Sequence, residues 1–581
     1  MRKLVLFTIC IVIGYGISFS QKNSLPKITT VFEQSNGRQS PDYFQIINWW
    51  QKLDKASAKI TMQQMGPTDA GYPLHLVTVS NQPIKNFAEA KKQNKIIILI
   101  NNGIHAGEPD GIDASMLLAR DIAEGILKLP DNVLLAIIPV YNIGGILNRG
   151  KYYRVDQNGP EEIGSRGNAQ GLDLNRDFIK ADTKNTLSFT EIFHLTDPEI
   201  FIDNHVSNGA DYQHVMTLLT TQYNKLGGTM GQYLHNTFEP ALYSLMKKEN
   251  FDMVPYVNHF GNTVQDGWTG FWDSPRYASG YAALFQCFAF VPETHMLKPY
   301  VQRVKATYAL LKSFMNYAGE NSASIKQARD IERRQTLAAK EFPVQFRLDS
   351  TKVSYIEFKG YLAEQKESEV SGLPRLYYNR NLPYTRQIPH FNYYEPVKFV
   401  TKPKAYIIPQ GWWRVTDRLK ANRVEMQQLQ RDTIIEVETY RITGYKSSVS
   451  AYQMHHPNTN VTVSVKTEAR KFRKGDWLIM MNQKANRFLI ETLEPYCEDS
   501  YFTWNFFDGI FNGQEWYSAY NYEDIAAQYL KADTALQKRL EEKRRQDTTF
   551  AKDANAQLTF IFNTSPYNEN DYMRYPVYRV L

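Results

Sequence analysis

Residues 95–108 read Lys95-Ile-Ile-Ile-Leu-Ile100, then Asn-Asn-Gly-Ile and His105-Ala-Gly-Glu108. Pro109-Asp-Gly-Ile-Asp-Ala-Ser-Met-Leu-Leu-Ala-Arg-Asp-Ile-Ala123 follows. The isoleucine-rich run is a strand buried on both faces. The segment after it has helical periodicity, with Pro109 near its first turn. His105 and Glu108 therefore lie on a loop leaving the C-terminal end of a strand, where open α/β sheets take their ligands. A histidine and a glutamate three residues apart can hold one metal ion from opposite ends of a single turn. Alone, the pair carries little weight; what the chain places around it decides the reading.

Outward from this loop, strand and helix patterns alternate over residues 41–320. Strands are expected at His75–Val79, Ile97–Ile100, Val133–Ile138, Glu199–Asp203, His214–Leu219 and Phe285–Val291. Helices are expected around 110–126, 185–195, 228–249 and 298–317. This is an α/β domain with a mixed or parallel sheet. A charged stretch over 321–340, containing Arg329-Asp-Ile-Glu-Arg-Arg334, reads as a solvated helical linker. From Phe342 the pattern changes to short β-like runs at Val344–Leu348, Ser354–Phe358, Tyr406–Pro409, Thr433–Glu438 and Asn460–Val465, with a charged helix near 533–546. Residues 341–581 are thus expected to form a β-rich or α+β accessory region.

Composition narrows the function. The N-terminus carries Arg2 and Lys3, an apolar run of about a dozen residues, and Ser18 and Ser20 before Gln21. This pattern is a secretory signal peptide over residues 1–20, and it implies a periplasmic or extracellular protein. The run is too short to span a bilayer comfortably, and no other segment is long and apolar enough, so stable membrane insertion is not expected. Losing Arg2 and Lys3 takes the formal charge from +7 to +5, too mild a surplus to imply nucleic acid. Cys287 and Cys497 then remain, either as one bridge or as two buried thiols. Without closely spaced cysteines, a metal must be held by histidine and carboxylate.

A catalytic zinc site takes three protein ligands and leaves one position open. His105 and Glu108 supply two. His205, ending the apolar run of Phe201-Ile-Asp-Asn-His205, supplies the third. Between them, Gly171-Leu-Asp-Leu-Asn-Arg-Asp-Phe178 gathers Asp173, Asn175 and Arg176 in one loop. Arg176 with Asn175 suits a substrate carboxylate, because guanidinium matches carboxylate bidentately. Asp173 suits the far nitrogen of a ligating histidine.

The order HxxE, GxDxNR, strand-end His and late strand-end Glu resembles the funnelin-type zinc carboxypeptidases over residues 41–320. The resemblance implies a mixed eight-stranded sheet flanked by helices, one Zn2+ per chain on His105, Glu108 and His205, and Asp173 supporting a zinc histidine. It further implies Asn175 and Arg176 on the substrate's C-terminal carboxylate, Glu293 of Phe288-Ala-Phe-Val-Pro-Glu293 as general base, and Tyr277 as a mobile substrate-binding tyrosine. Arg154 is the choice for the oxyanion-stabilising arginine, with Arg149 and Arg166 as rivals. The reaction implied is hydrolysis of peptide or protein C-termini by metal-activated water. The alternatives are a peptidoglycan stem-peptide amidase or carboxypeptidase in envelope remodelling and a non-catalytic binding protein on the same fold. Residues 341–581 are similar to the long accessory halves of bacterial secreted members. Their aromatic clusters, Trp412-Trp413, Tyr501–Phe507 and Trp516-Tyr517, read as core, with an aromatic wall beside the active site as the sharper possibility. The oligomeric state is left open.

Overall fold

The computed structural model describes residues 28–84, 86–259, 263–569 and 571–581. The signal-peptide reading lies outside them. Among the described residues no helix is long and apolar enough to cross a membrane.

One mixed sheet organises the first half. Its strands run, edge to edge, Ile60–Pro67, Pro73–Val79, Val133–Ile138, Ile96–Asn101, Ile200–Asp203, Phe288–His295, Met216–Thr220 and Met253–Pro255. His205–Ser207 also lies beside Phe288–His295. It continues Ile200–Asp203 in the same register, with Ile200 opposite Phe288 and His205 opposite Glu293. A single strand interrupted at Asn204 thus completes the expected eight-stranded mixed sheet. The four strands from Val133–Ile138 to Phe288–His295 are mutually parallel, so their C-terminal ends share one edge.

The central strands are buried throughout, as their uninterrupted apolar runs require. Side chains alternate across a strand. Ile96, Ile98 and Ile100 enter one core with Trp50, Leu118 and Phe314, while Ile97 and Leu99 enter the other with Phe189, Phe193 and Tyr281. This second core continues into Tyr406, Phe488, Leu489 and Trp504. The second half therefore covers one face of this sheet rather than standing apart. The expected linker 321–340 likewise belongs to a helix, Tyr300–Ala338, whose backbone departs from helical geometry at Asn321 (φ −113°, ψ 18°).

The second half is β-rich. A six-stranded sheet has the order Gln427–Gln428, Trp477–Met480, Ala405–Ile408, Tyr578–Val580, Thr433–Ser447, Asn458–Phe472. The long hairpin of Ser354–Glu367 and Pro374–Phe391 recruits Trp268–Thr269 from the first half as a third strand. Cys287 and Cys497 are both free and buried, and burial pushes the Cys287 thiol up to about 12, leaving it protonated and inert.

The helix after the His105 loop, Asp110–Ala123, is locked to the strand carrying Glu293. The Thr294 hydroxyl donates to Asp110, which also takes a hydrogen bond from Arg303 Nε at 3.0 Å. One turn on, the Tyr300 hydroxyl donates to Asp113. Burial pushes the Asp113 carboxyl up to about 8, aided by the charge of Asp110 and opposed by the Tyr300 hydrogen bond. The unfolded carboxyl releases its proton near pH 4, whereas the folded chain keeps it to about pH 8. This contribution to stability is thus complete below about pH 4 and is lost as the pH rises toward 8, by on the order of 1 kcal/mol per pH unit. Asp113→Asn should flatten that part of the pH dependence in chemical denaturation; an unchanged slope would exclude Asp113 as its source.

Candidate metal and peptide site

The site lies at the C-terminal edge of the parallel strands. Chain leaving Ile96–Asn101 turns at Gly103 (φ 63°) and carries His105 and Glu108 back over the sheet edge. Gly107, between them, permits a close approach: a Cβ there would stand 2.8 Å from Arg154 Cδ and 2.9 Å from the Gly164 carbonyl oxygen. The neighbouring strand breaks at Asn204, whose side chain donates to Asn102 at 2.8 Å. The break sets His205 beside this loop.

His105, Glu108 and His205 are all buried, and one donor atom from each lies within 4.8 Å of the others. Both histidines turn Nδ1 toward the same carboxylate, His105 at 3.1 Å from Glu108 Oε1 and His205 at 3.2 Å from Oε2. Their Nε2 atoms meet carboxylates behind, Asp173 at 3.0 Å and Asp203 at 2.8 Å. This is the donor chemistry of a zinc site, with each ring oriented from its far nitrogen. The residues fit the metal: two nitrogens and a carboxylate converge on one point and leave its cavity side open.

The electrostatics are coupled. Burial works to raise the Glu108 carboxyl, but His105 and Arg154 outweigh it and hold it well below the usual range. Burial also opposes ionisation of Asp173, and His105, Arg166 and Arg176 overcome it in the same way. Glu293 goes the other way. Burial, with the charge of Glu108 added, pushes its carboxyl up to about 8 against the pull of His205 and the arginines. A half-buried carboxyl with so high a proton affinity is suited to take a proton.

His105, Glu108, Arg154, Asn175, Arg176, His205, Tyr277 and Glu293 all line one cavity of about 330 Å³. Asp173 stands behind His105. Arg154 Nη1 donates to Glu108 Oε1 at 2.7 Å. Arg166 also faces the cavity, donating to Asp173 Oδ2 at 2.9 Å. Arg149 instead turns away to the backbone carbonyls of Ser40, Pro41 and Glu162. The Arg176 guanidinium lies over the Tyr277 ring, 4.6 Å from its centroid. Asn175 Oδ1 accepts the Ala278 amide at 3.3 Å and so ties this loop to the tyrosine segment. Apart from the ionisable groups already named, the lining is neutral and includes Leu219, Tyr256, Phe271 and Val291.

Sequence reasoning missed three residues beside this site. Asp203 carried a signal, since positions i and i+2 of a strand share a face. Tyr452 and Gln453 carried none. The Tyr452 hydroxyl accepts from Arg176 Nε at 3.1 Å and Gln453 Oε1 accepts the Asp173 amide at 3.0 Å, across 276 and 280 residues of chain. As for the aromatics of the second half, Tyr501, Phe502, Trp504 and Phe507 are buried core, while Trp413 and Trp516 are exposed.

Residues 46–225 match the family model of the zinc carboxypeptidases. Among curated proteins, the chain is 20% identical over 453 residues to carboxypeptidase 2 of Trichophyton rubrum, covering 74% of this chain and 77% of that protein. It is 20% identical over 440 residues to carboxypeptidase 2 of Trichophyton equinum, covering 72% and 75%. Among solved structures, it resembles a metallo-carboxypeptidase from Burkholderia cenocepacia (17% identity, 47% and 67% of the two chains, TM-score 0.34). It also resembles the carboxypeptidase A from Helicoverpa armigera (15% identity, 50% and 74%, TM-score 0.36).

Proposed function

From the premise that this chain carries a zinc carboxypeptidase domain, we propose that it is an active metallocarboxypeptidase removing C-terminal residues from peptides. One observation carries the reading: a three-donor metal site, a carboxyl of raised proton affinity and an arginine line a single cavity.

His105, Glu108 and His205 would hold the zinc ion. Bound there, zinc supplies Lewis acidity toward the scissile carbonyl and toward water. Arg176 takes the substrate's terminal carboxylate, with Asn175 in the same loop and Tyr277 stacked on the guanidinium. This fixes the last peptide bond over the site. Glu293 removes a proton from water as its oxygen bonds to the carbonyl carbon. Glu293 then gives that proton to the leaving nitrogen as the C–N bond breaks. Arg154 donates to the carbonyl oxygen as it gains negative charge; its position against Glu108 favours it over Arg166. The products are a shortened peptide and a free amino acid. On the pattern of residues 1–20, we assign the enzyme to an exported location.

The test is incubation of the zinc-loaded protein with a mixed peptide pool, read by mass spectrometry. Single-residue losses from free C-termini are expected, and C-terminally amidated peptides should be poor substrates. Arg176→Gln should lower kcat/KM on free-acid peptides by roughly 10–100-fold, the worth of hydrogen bonds to a charged group. It should also erase the preference over amides. Internal cleavage, or equal rates on acid and amide, would overturn the assignment.

A further inference from the structure

We propose that the turn joining Thr433–Ser447 to Asn458–Phe472 belongs to the specificity apparatus, with Tyr452 as a positioning residue that orients Arg176 toward a free C-terminal carboxylate. The inference rests on the function proposed above, and it extends that site into the accessory half of the chain.

The Arg176 guanidinium is fixed from three directions. Nε donates to the Tyr452 hydroxyl at 3.1 Å, Nη1 donates to the Asn175 carbonyl at 2.8 Å, and the plane rests on the Tyr277 ring. Tyr452 thereby occupies the Nε side and Asn175 takes Nη1, which leaves Nη2 for a ligand in the cavity that Arg176 lines. The next residue performs a parallel task. Gln453 Oε1 accepts the backbone amide of Asp173, the residue that turns His105. Two adjacent side chains of the second half therefore hold both working ends of the loop 173–176.

The backbone around them is adapted to this contact. Tyr452 and His455 exchange two backbone hydrogen bonds, at 2.7 and 3.1 Å, closing a two-residue turn. Its central residues, Gln453 (φ 51°) and Met454 (φ 67°), are both left-handed. Turns of this kind favour Asn-Gly, because most side chains disfavour positive φ. Strain of this sort collects where the surroundings over-determine a conformation for function. Here glycine would be the easier residue at 453, yet the position carries the amide that reaches Asp173.

The turn is also anchored independently of Arg176. His455 Nε2 lies 2.8 Å from Asp182, itself held by Lys180 at 2.8 Å and Arg418 at 3.0 Å. His456 and Asn505 exchange two hydrogen bonds at 2.9 Å. The Tyr452 ring is stacked at 20° on the buried Trp504, 6.2 Å between centroids. Tyr452 thus reaches Arg176 from a rigid base.

The experiment uses the zinc-loaded full-length chain and N-blocked dipeptides with free or amidated C-termini, sampling neutral, acidic and basic last residues. Tyr452→Phe keeps the ring and its stack and removes only the acceptor. It should raise KM for free-acid substrates about 3–10-fold, the worth of one hydrogen bond, with kcat within about twofold. Amide hydrolysis should be unchanged, so the preference for acids shrinks. In an Arg176→Gln background the same change should add nothing. Gln453→Gly should leave the thermal midpoint equal or higher, because the strain is relieved, and still raise KM. A purely structural role predicts a lower midpoint with kcat and KM damaged together, and that result would overturn the proposal. So would unchanged KM in both variants while Arg176→Gln raises it. If Arg176→Gln itself leaves the acid preference intact, the carboxypeptidase assignment fails rather than this inference alone.

Discussion

Glu293→Gln should lower kcat by about 10²–10⁴-fold, the range for removing a general base, while zinc content and thermal stability stay at wild-type levels. Glutamine matches glutamate in shape, so the cavity keeps its form. Burial already pushes the Glu293 carboxyl up to about 8, so the metal-free folded protein holds it neutral near pH 7. Its side chain forms no ion pair among those found in the described residues, and a neutral amide leaves no partner stranded. Activity and stability should therefore separate cleanly. Steady-state kinetics, metal analysis and thermal denaturation on the same preparation check this. A variant retaining more than a tenth of wild-type kcat would remove Glu293 as the base.

Removing zinc should abolish hydrolysis, and re-addition of one equivalent should restore it. His205→Ala should abolish it irreversibly, because two remaining ligands do not make a catalytic zinc site. The fold should survive this change. Glu108 keeps Arg154 at 2.7 Å and the Val206 amide at 2.8 Å, and Asp203 keeps Asn101 at 2.9 Å. The residues behind the ligands should give a graded response. Asp203→Asn and Asp173→Asn should each weaken zinc affinity about 10–100-fold by loosening the ring that each carboxylate orients. Competition with a chromophoric chelator measures this directly. Wild-type affinity in Asp203→Asn would show that the His205 ring is held by packing alone.

The parts of this protein set by local pattern were readable from the chain. Val133–Ile138 was located to the residue, because a continuous apolar run between turn residues has few other uses. The HxxE pair could be assigned to a strand-to-helix loop for the same reason. His205 followed from its position at the end of an apolar run, whereas Glu293 was singled out only by the resemblance to the zinc carboxypeptidases. What stayed hidden were strands whose partners or exposure mask their pattern. Pro374–Phe391 contains three prolines at exposed or half-exposed positions and only a few buried side chains, so no alternation announced it. The helical group at Ala519–Ala532 and Ala554–Thr564 was also missed, since its small core forms only when those helices meet.

The chemistry proposed for the site was thus expressed in the sequence itself: the donors suited to metal, to proton transfer and to a carboxylate follow from residue type, and their order along the chain ties them to strand ends. Tertiary structure alone decided that Arg154 and Arg166 face the cavity while Arg149 turns away, and that the second half supplies Tyr452 and Gln453. Those outcomes depend on side chains up to 280 residues apart meeting at about 3 Å. No local propensity encodes such a meeting. It follows from both halves burying their apolar faces on the same sheet, which brings the turn at 452–455 against the loop at 173–176.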